Sequence, residues 1–140
     1  MKTTMKAVSL LLAFILLLSF TACGGKEEAN LWKDATYTAD TTLGEGAKTV
    51  IVEVKAEDKA VTFTVKTDAE TVGAALLENN LIAGDESEYG LYVKKVNGIT
   101  ADYDVDQSYW AFYVGDAYAT AGVDATAIDE SVKYALVYSK

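Results

Sequence analysis

Two six-residue stretches with the same alternation constrain this chain most. Val50, Val52 and Val54 alternate with Ile51, Glu53 and Lys55; after Glu57 and Asp58, Val61, Phe63 and Val65 alternate with Thr62, Thr64 and Lys66. A period of two puts each apolar set on one face, so the segment reads as a hairpin with one buried face. That face must be covered. Thr67 and Glu70 have capping-box spacing, Asp68 adds negative charge to a first turn, and Ala69, Val72 and Leu76 follow at helical intervals up to Asn79 or Asn80. A short helix is therefore expected directly after the hairpin. Gly73 inside it either weakens the helix or lets it approach the sheet closely.

Further strands follow. Asp85, Glu86 and Glu88 suggest an acidic loop, and Leu91 to Val96 reads as a strand whose alternation is broken by Lys94 and Lys95, the mark of a bulge or an edge. Asn97-Gly98 is a strong hairpin-turn signal because both residues accept positive φ. Between Ser108 and Gly115, Tyr109, Ala111 and Tyr113 face one way and Trp110, Phe112 and Val114 the other, which suggests a central strand covered on both sides. Ala117 to Ala119 would return briefly, and Val132 to Tyr138 forms a last strand. Hairpin, helix, then strands is the order of an α+β domain, a single helix packed on one mixed β-sheet in a β-grasp-like arrangement.

The residue inventory narrows function. With 12 Lys, no Arg and no His, the chain lacks the commonest general base, the commonest metal ligand and the usual bidentate phosphate clamp. No Gly-x-Ser-x-Gly or Ser-x-x-Lys pattern occurs. Paired carboxylates are plentiful, but in so acidic a chain their abundance singles out no pair. A non-enzymatic role with no required cofactor is expected. Asp102, Asp104 and Asp106 have the spacing that opens a calcium loop, yet Gln107 stands where the turn glycine belongs and Tyr113 where the bidentate Glu belongs. This excludes an EF-hand and leaves a weak irregular calcium site or a solvated acidic loop.

The N-terminus has the layout of a secretory signal: Lys2 and Lys6, an apolar run from Ala7 to Leu18, then Ser19 to Ala22 before the only cysteine, Cys23. Phe20, Thr21, Ala22 and Cys23 resemble the bacterial lipoprotein processing box, although Phe20 replaces the usual aliphatic residue. The resemblance implies a signal peptide over 1–22, cleavage before Cys23 and a lipid on its sulfur. Residues 23–47 are then expected to form a polar tether, with Leu31, Trp32 and Tyr37 belonging either to the stalk or to an edge strand. Cleavage removes two lysines and no acid, so the mature surface is more negative than the −9 of the whole chain. Such a surface repels nucleic acid and anionic lipid. The anchor would hold the folded module, 48–140, at the extracytoplasmic face of the cell membrane.

Four sets of residues carry a further resemblance: Thr71, Val72, Ala75 and Leu76; Val96, Asn97, Gly98 and Ile99; Tyr109, Trp110, Phe112 and Tyr113; and Gly122 with Val123. In that order, from about Lys48 to Tyr138, the chain resembles the bacterial domain family DUF4430, which is similar to the C-terminal β-domain of transcobalamin and intrinsic factor. In those carriers the β-domain closes over a corrinoid held against a larger helical domain. The resemblance implies a β-grasp fold and a small-ligand-binding role, with cobalamin or a related corrinoid as candidate ligand. Without His, cobalt would receive no imidazole, and binding would rest on stacking and hydrogen bonds. The candidate ligand-binding residues are Trp110, for stacking, Tyr109 and Asn97, for hydrogen bonds, with Tyr113 and Tyr92 beside them. A core position is the default for Trp110. The alternative function is a protein-interaction, envelope-assembly or adhesion module that presents the same aromatic face or a strand edge to a cell-surface protein.

Overall fold

Residues 30–140 are described by a computed structural model; the signal-like segment, Cys23 and the first part of the expected tether lie outside the described residues. Strands β2 (Lys48–Ala56) and β3 (Lys59–Thr67) form the expected antiparallel hairpin, with Val50 opposite Val65, Val52 opposite Phe63 and Val54 opposite Val61. All six side chains are buried. Glu57 takes φ 55° at the turn, the left-handed backbone that a tight two-residue connection requires.

Around this hairpin a six-stranded mixed sheet assembles in the order β1-β3-β2-β9-β7-β8. Strand β1 (Thr41–Gly44) runs parallel to β3, β9 (Lys133–Ser139) parallel to β2, and β7 (Tyr109–Val114) antiparallel to β9. The two-residue β8 (Ala117–Tyr118) closes that side. The centre of the sheet is therefore β2 and β9, not the aromatic strand. Strand β7 lies next to the edge, and its two faces differ: Trp110 and Phe112 enter the core, whereas Tyr109 and Tyr113 remain half-buried on the opposite face, on either side of the buried Ala111.

Helix α1 (Val72–Glu78) follows β3, as the spacing predicts, but its cap is Thr71, whose hydroxyl accepts from the Ala74 N–H at 3.2 Å. Thr67 is instead the last residue of β3; its hydroxyl accepts from the Ala69 N–H at 3.0 Å and donates to the Glu78 carboxylate. Val72, Ala75 and Leu76 are buried. A Cβ on Gly73 would lie 2.7 Å from the backbone nitrogen of Asp124, so this glycine permits close approach to the 3-10 turn Val123–Ala125 rather than to the sheet. Asn79 caps the helix, and Asn80, at φ 55°, turns the chain away.

The α+β architecture of a helix on a mixed sheet is as expected, and a second, smaller sheet accompanies it. Strands β4 (Ile82–Ser87), β5 (Gly90–Val96) and β6 (Ile99–Thr100) form a small antiparallel sheet. The supposed acidic loop at Asp85 and Glu86 is thus strand β4, exposed everywhere except Ile82. Its pairing with β5, rather than side-chain alternation, defines it. In the ladder Ala83 faces Lys95 and Gly84 faces Val93, leaving Lys94 as the extra residue of a bulge. The two lysines that break the sequence pattern mark it.

The folded unit also begins earlier than residue 48, at Leu31. The 3-10 turn Leu31–Asp34 buries Trp32, whose indole N–H donates to the Ala56 carbonyl at 2.9 Å. The Tyr37 ring meets Phe63 edge-on at 5.7 Å. Residues from 31 onward therefore close one end of the core, and the expected tether is shortened accordingly.

Candidate functional site

The bulge at Lys94 opens the outer face of the small sheet. Asp85 and Ser87 from β4, Tyr92 and Lys94 from β5, and Asp102, Tyr103 and Asp104 after β6 line a cleft of 340 Å³. Helix α2 (Tyr103–Asp106) is a single turn that forms one wall. Asp102 caps it by accepting from the Asp104 N–H at 3.0 Å, and Gln107 ends it at φ 63°. In β4, next to Asp85, Gly84 leaves no room for a side chain: a Cβ there would lie 1.9 Å from the Tyr92 carbonyl oxygen. The glycine thus lets β4 lie against the bulged strand.

Charge and aromatic surface meet in this cleft. Lys94 Nζ lies 2.8 Å from Asp85 Oδ2 and 6.0 Å from the centre of the Tyr92 ring. The hydrogen bond and charge of Asp85 hold the Lys94 amine above its usual value of 10.5, with Asp102 and Asp104 adding to the effect. Lys94 is therefore a fixed positive charge near neutrality and offers no base. Tyr92 and Tyr103 are 41% and 55% exposed, so much of each ring is open to solvent.

The five residues singled out from the sequence are not brought together. Trp110 is a core residue: its indole N–H donates to the Ile99 carbonyl at 3.2 Å and its ring meets Tyr138 edge-on at 5.6 Å. Asn97 is fully buried at the β5–β6 turn, where its side chain accepts from the Tyr37 N–H at 2.9 Å and donates to the Tyr37 carbonyl at 2.8 Å. Neither geometry leaves the polar group for a ligand. Tyr109 and Tyr113 lie on the opposite face of the main sheet, Tyr113 packed edge-on against Tyr118 at 5.5 Å. Only Tyr92 lines the cleft. The other lining residues, Asp85, Ser87, Lys94, Asp102, Tyr103 and Asp104, carry one signal in the sequence, the broken alternation at Lys94.

Asp102, Asp104 and Asp106, whose spacing suggests a weak calcium site or a solvated acidic loop, fall at a single helical turn and have different partners. Asp102 is spent on a helix cap, while Asp106 accepts from the Ser108 N–H and hydroxyl and pairs with Lys140 at 3.7 Å. Those Ser108 donors, helped by Lys140, hold Asp106 below the ordinary aspartate value of 3.8. Among the described residues no group of three or more His, Cys, Asp or Glu is placed to hold a metal ion.

Comparison with known proteins gives one family match and two structural likenesses. Residues 69–134 match the family model of DUF4430, a domain of unknown function. The chain is similar to a protein from Ruminococcus gnavus, described as a candidate metal binding protein, with 29% identity over 67% of this chain and 98% of that one and a TM-score of 0.63. It is also similar to haptocorrin, solved in complex with Cbi, with 15% identity over 70% of this chain and a TM-score of 0.52. That match spans 27% of the haptocorrin chain, and at this identity the likeness concerns the fold. No curated protein matches the sequence. Residues 69–134 therefore match the DUF4430 family model, on an α+β fold that part of haptocorrin shares.

Proposed function

We propose that this chain is a non-catalytic small-ligand-binding module, lipid-anchored through Cys23 at the extracytoplasmic face of the cell membrane, with its ligand held at the Tyr92–Tyr103 cleft. The observation that carries the reading is the cleft itself, 340 Å³ lined by two open tyrosine rings together with charged and polar side chains. Apolar ring surface beside a few oriented polar groups is the usual composition of a small-molecule site. Haptocorrin, a neighbour in fold, was solved with Cbi, and a corrinoid is the first ligand to test. The cleft lies near the lower end of the range of about 300–1,000 Å³ typical of ligand pockets. It would take the rim of a macrocycle, with the remainder facing a second surface. Binding of this kind needs no resident cofactor.

The test is calorimetric titration of the chain in detergent with cyanocobalamin and cobinamide. Saturable binding is expected, and Tyr103→Ala should weaken it by about 1–1.5 kcal/mol, roughly tenfold, with thermal stability unchanged because the ring is exposed. Absence of heat with both corrinoids removes them as ligands of this domain. The anchor is tested separately. Cells expressing the chain should incorporate labelled palmitate into it, and Cys23→Ala should abolish the label; persistent labelling of that variant would place the lipid elsewhere.

A further inference from the structure

We propose that the cleft between Tyr92 and Tyr103 selects an organic ammonium cation, an inference that rests on the cleft as ligand site and adds the charge and class of what enters it. The cleft already accommodates one ammonium group, the chain's own. Lys94 Nζ is held jointly by the Asp85 carboxylate at 2.8 Å and the Tyr92 ring at 6.0 Å. A carboxylate and an aromatic face together replace the hydration of an ammonium group, the carboxylate by charge and the ring by its quadrupole.

Tyr103, with an exposed ring, and Asp104 line the same cleft, and Asp104 has no ion-pair partner among the described residues. Asp102 adds a third carboxylate to the lining, against the single ammonium of Lys94. The local field is therefore negative, which disfavours anions and raises the local concentration of cations. A metal ion is a poorer occupant than an ammonium group. It requires several convergent oxygen ligands, which the lining carboxylates do not provide, whereas an ammonium group is satisfied by one carboxylate and one ring face. The volume of 340 Å³ suits a small alkylammonium group.

Choline chloride is the probe, titrated into the full chain in a neutral detergent, with sodium chloride at matched ionic strength and sodium sulfate as controls. The ring resonances of Tyr92 and Tyr103 are followed by nuclear magnetic resonance. Saturable shifts of both rings at millimolar choline, absent with either sodium salt, are expected. Tyr103→Ala should weaken binding by about threefold to fivefold, whereas Tyr103→Phe, which keeps the ring face, should retain it. Lys94→Met frees Asp85 and the Tyr92 ring and should strengthen choline binding. No saturable shift, equal shifts with sodium chloride, or weakening in Lys94→Met would overturn the proposal. Choline binding without corrinoid binding keeps the cation site and removes the corrinoid; corrinoid binding without a choline response does the reverse.

Discussion

Trp110→Ala should cost about 3–5 kcal/mol of folding stability, the range for removing a large buried aromatic side chain. The indole is only 7% exposed and lies on the core face of β7. Its loss removes the edge-on contact with Tyr138 at 5.6 Å and leaves the Ile99 carbonyl without the N–H that it accepts at 3.2 Å. Cavity and orphaned acceptor act together. Against a typical total of about 5–15 kcal/mol, such a loss is a large fraction of the whole. Urea denaturation followed by far-ultraviolet circular dichroism measures it, and Trp110→Phe should recover part of the loss by refilling the cavity without restoring the N–H. A Trp110→Ala variant within about 1 kcal/mol of the parent would place the indole outside the cooperative core. Loss of ligand binding in that variant is therefore not evidence of contact with a ligand. Tyr103 and Tyr92 are the informative positions.

The second large effect is expected at Asn97. Its side chain joins the β5–β6 turn to the main chain of Tyr37, accepting at 2.9 Å and donating at 2.8 Å, in a fully buried position. Its own backbone N–H donates to Leu81 at 2.8 Å and its carbonyl accepts from Thr36 at 2.9 Å. Asn97→Ala removes both side-chain bonds, leaves two Tyr37 backbone groups unpaired and places alanine at φ 50°. Each stranded buried group costs about 1–3 kcal/mol, and the left-handed backbone adds about 1 kcal/mol for a residue without a short polar side chain. The expected loss is about 2–4 kcal/mol once partial rehydration of the Tyr37 groups is allowed for. Hydrogen exchange should accelerate most in residues 31–37, whose attachment depends on the clamp. Asn97→Gly separates the two causes: it relieves the backbone but not the hydrogen bonds, and should be the milder variant by about 1 kcal/mol. Equal protection of residues 31–37 in Asn97→Ala and the parent would show that contacts other than the Asn97 side chain, such as those of Trp32 and the Tyr37 ring, hold the segment.

Both residues were legible in the sequence as special, but for different physical reasons than those that give them their roles. Asn97-Gly98 announces a turn through local backbone preference, and the turn is there, with φ 50° and 81°. That the amide would reach Tyr37, 60 residues earlier in the chain, is a long-range contact with no local signature. The aromatic run 109–114 likewise announces a strand. Its place in the sheet depends on β9 inserting between it and β2, which only the pairing of segments far apart in sequence decides.

What the sequence by itself determined was local: the β2–β3 hairpin from its period of two, helix α1 from apolar spacing, the Asn97-Gly98 turn, an irregularity at Lys94 and Lys95, and the α+β class that follows from their order. Hydrophobic period and turn chemistry act over a few residues, and a single chain displays them directly. The tertiary structure alone decided that β4 is a strand, that residues from 31 onward belong to the core, that Trp110 and Asn97 are structural, and that Tyr92, Lys94, Asp85, Tyr103 and Asp104 share a cleft. Those outcomes depend on strand pairing and on which side chains from separate elements converge, and a solvated acidic residue has the same local signature whether it faces open water or a neighbouring tyrosine.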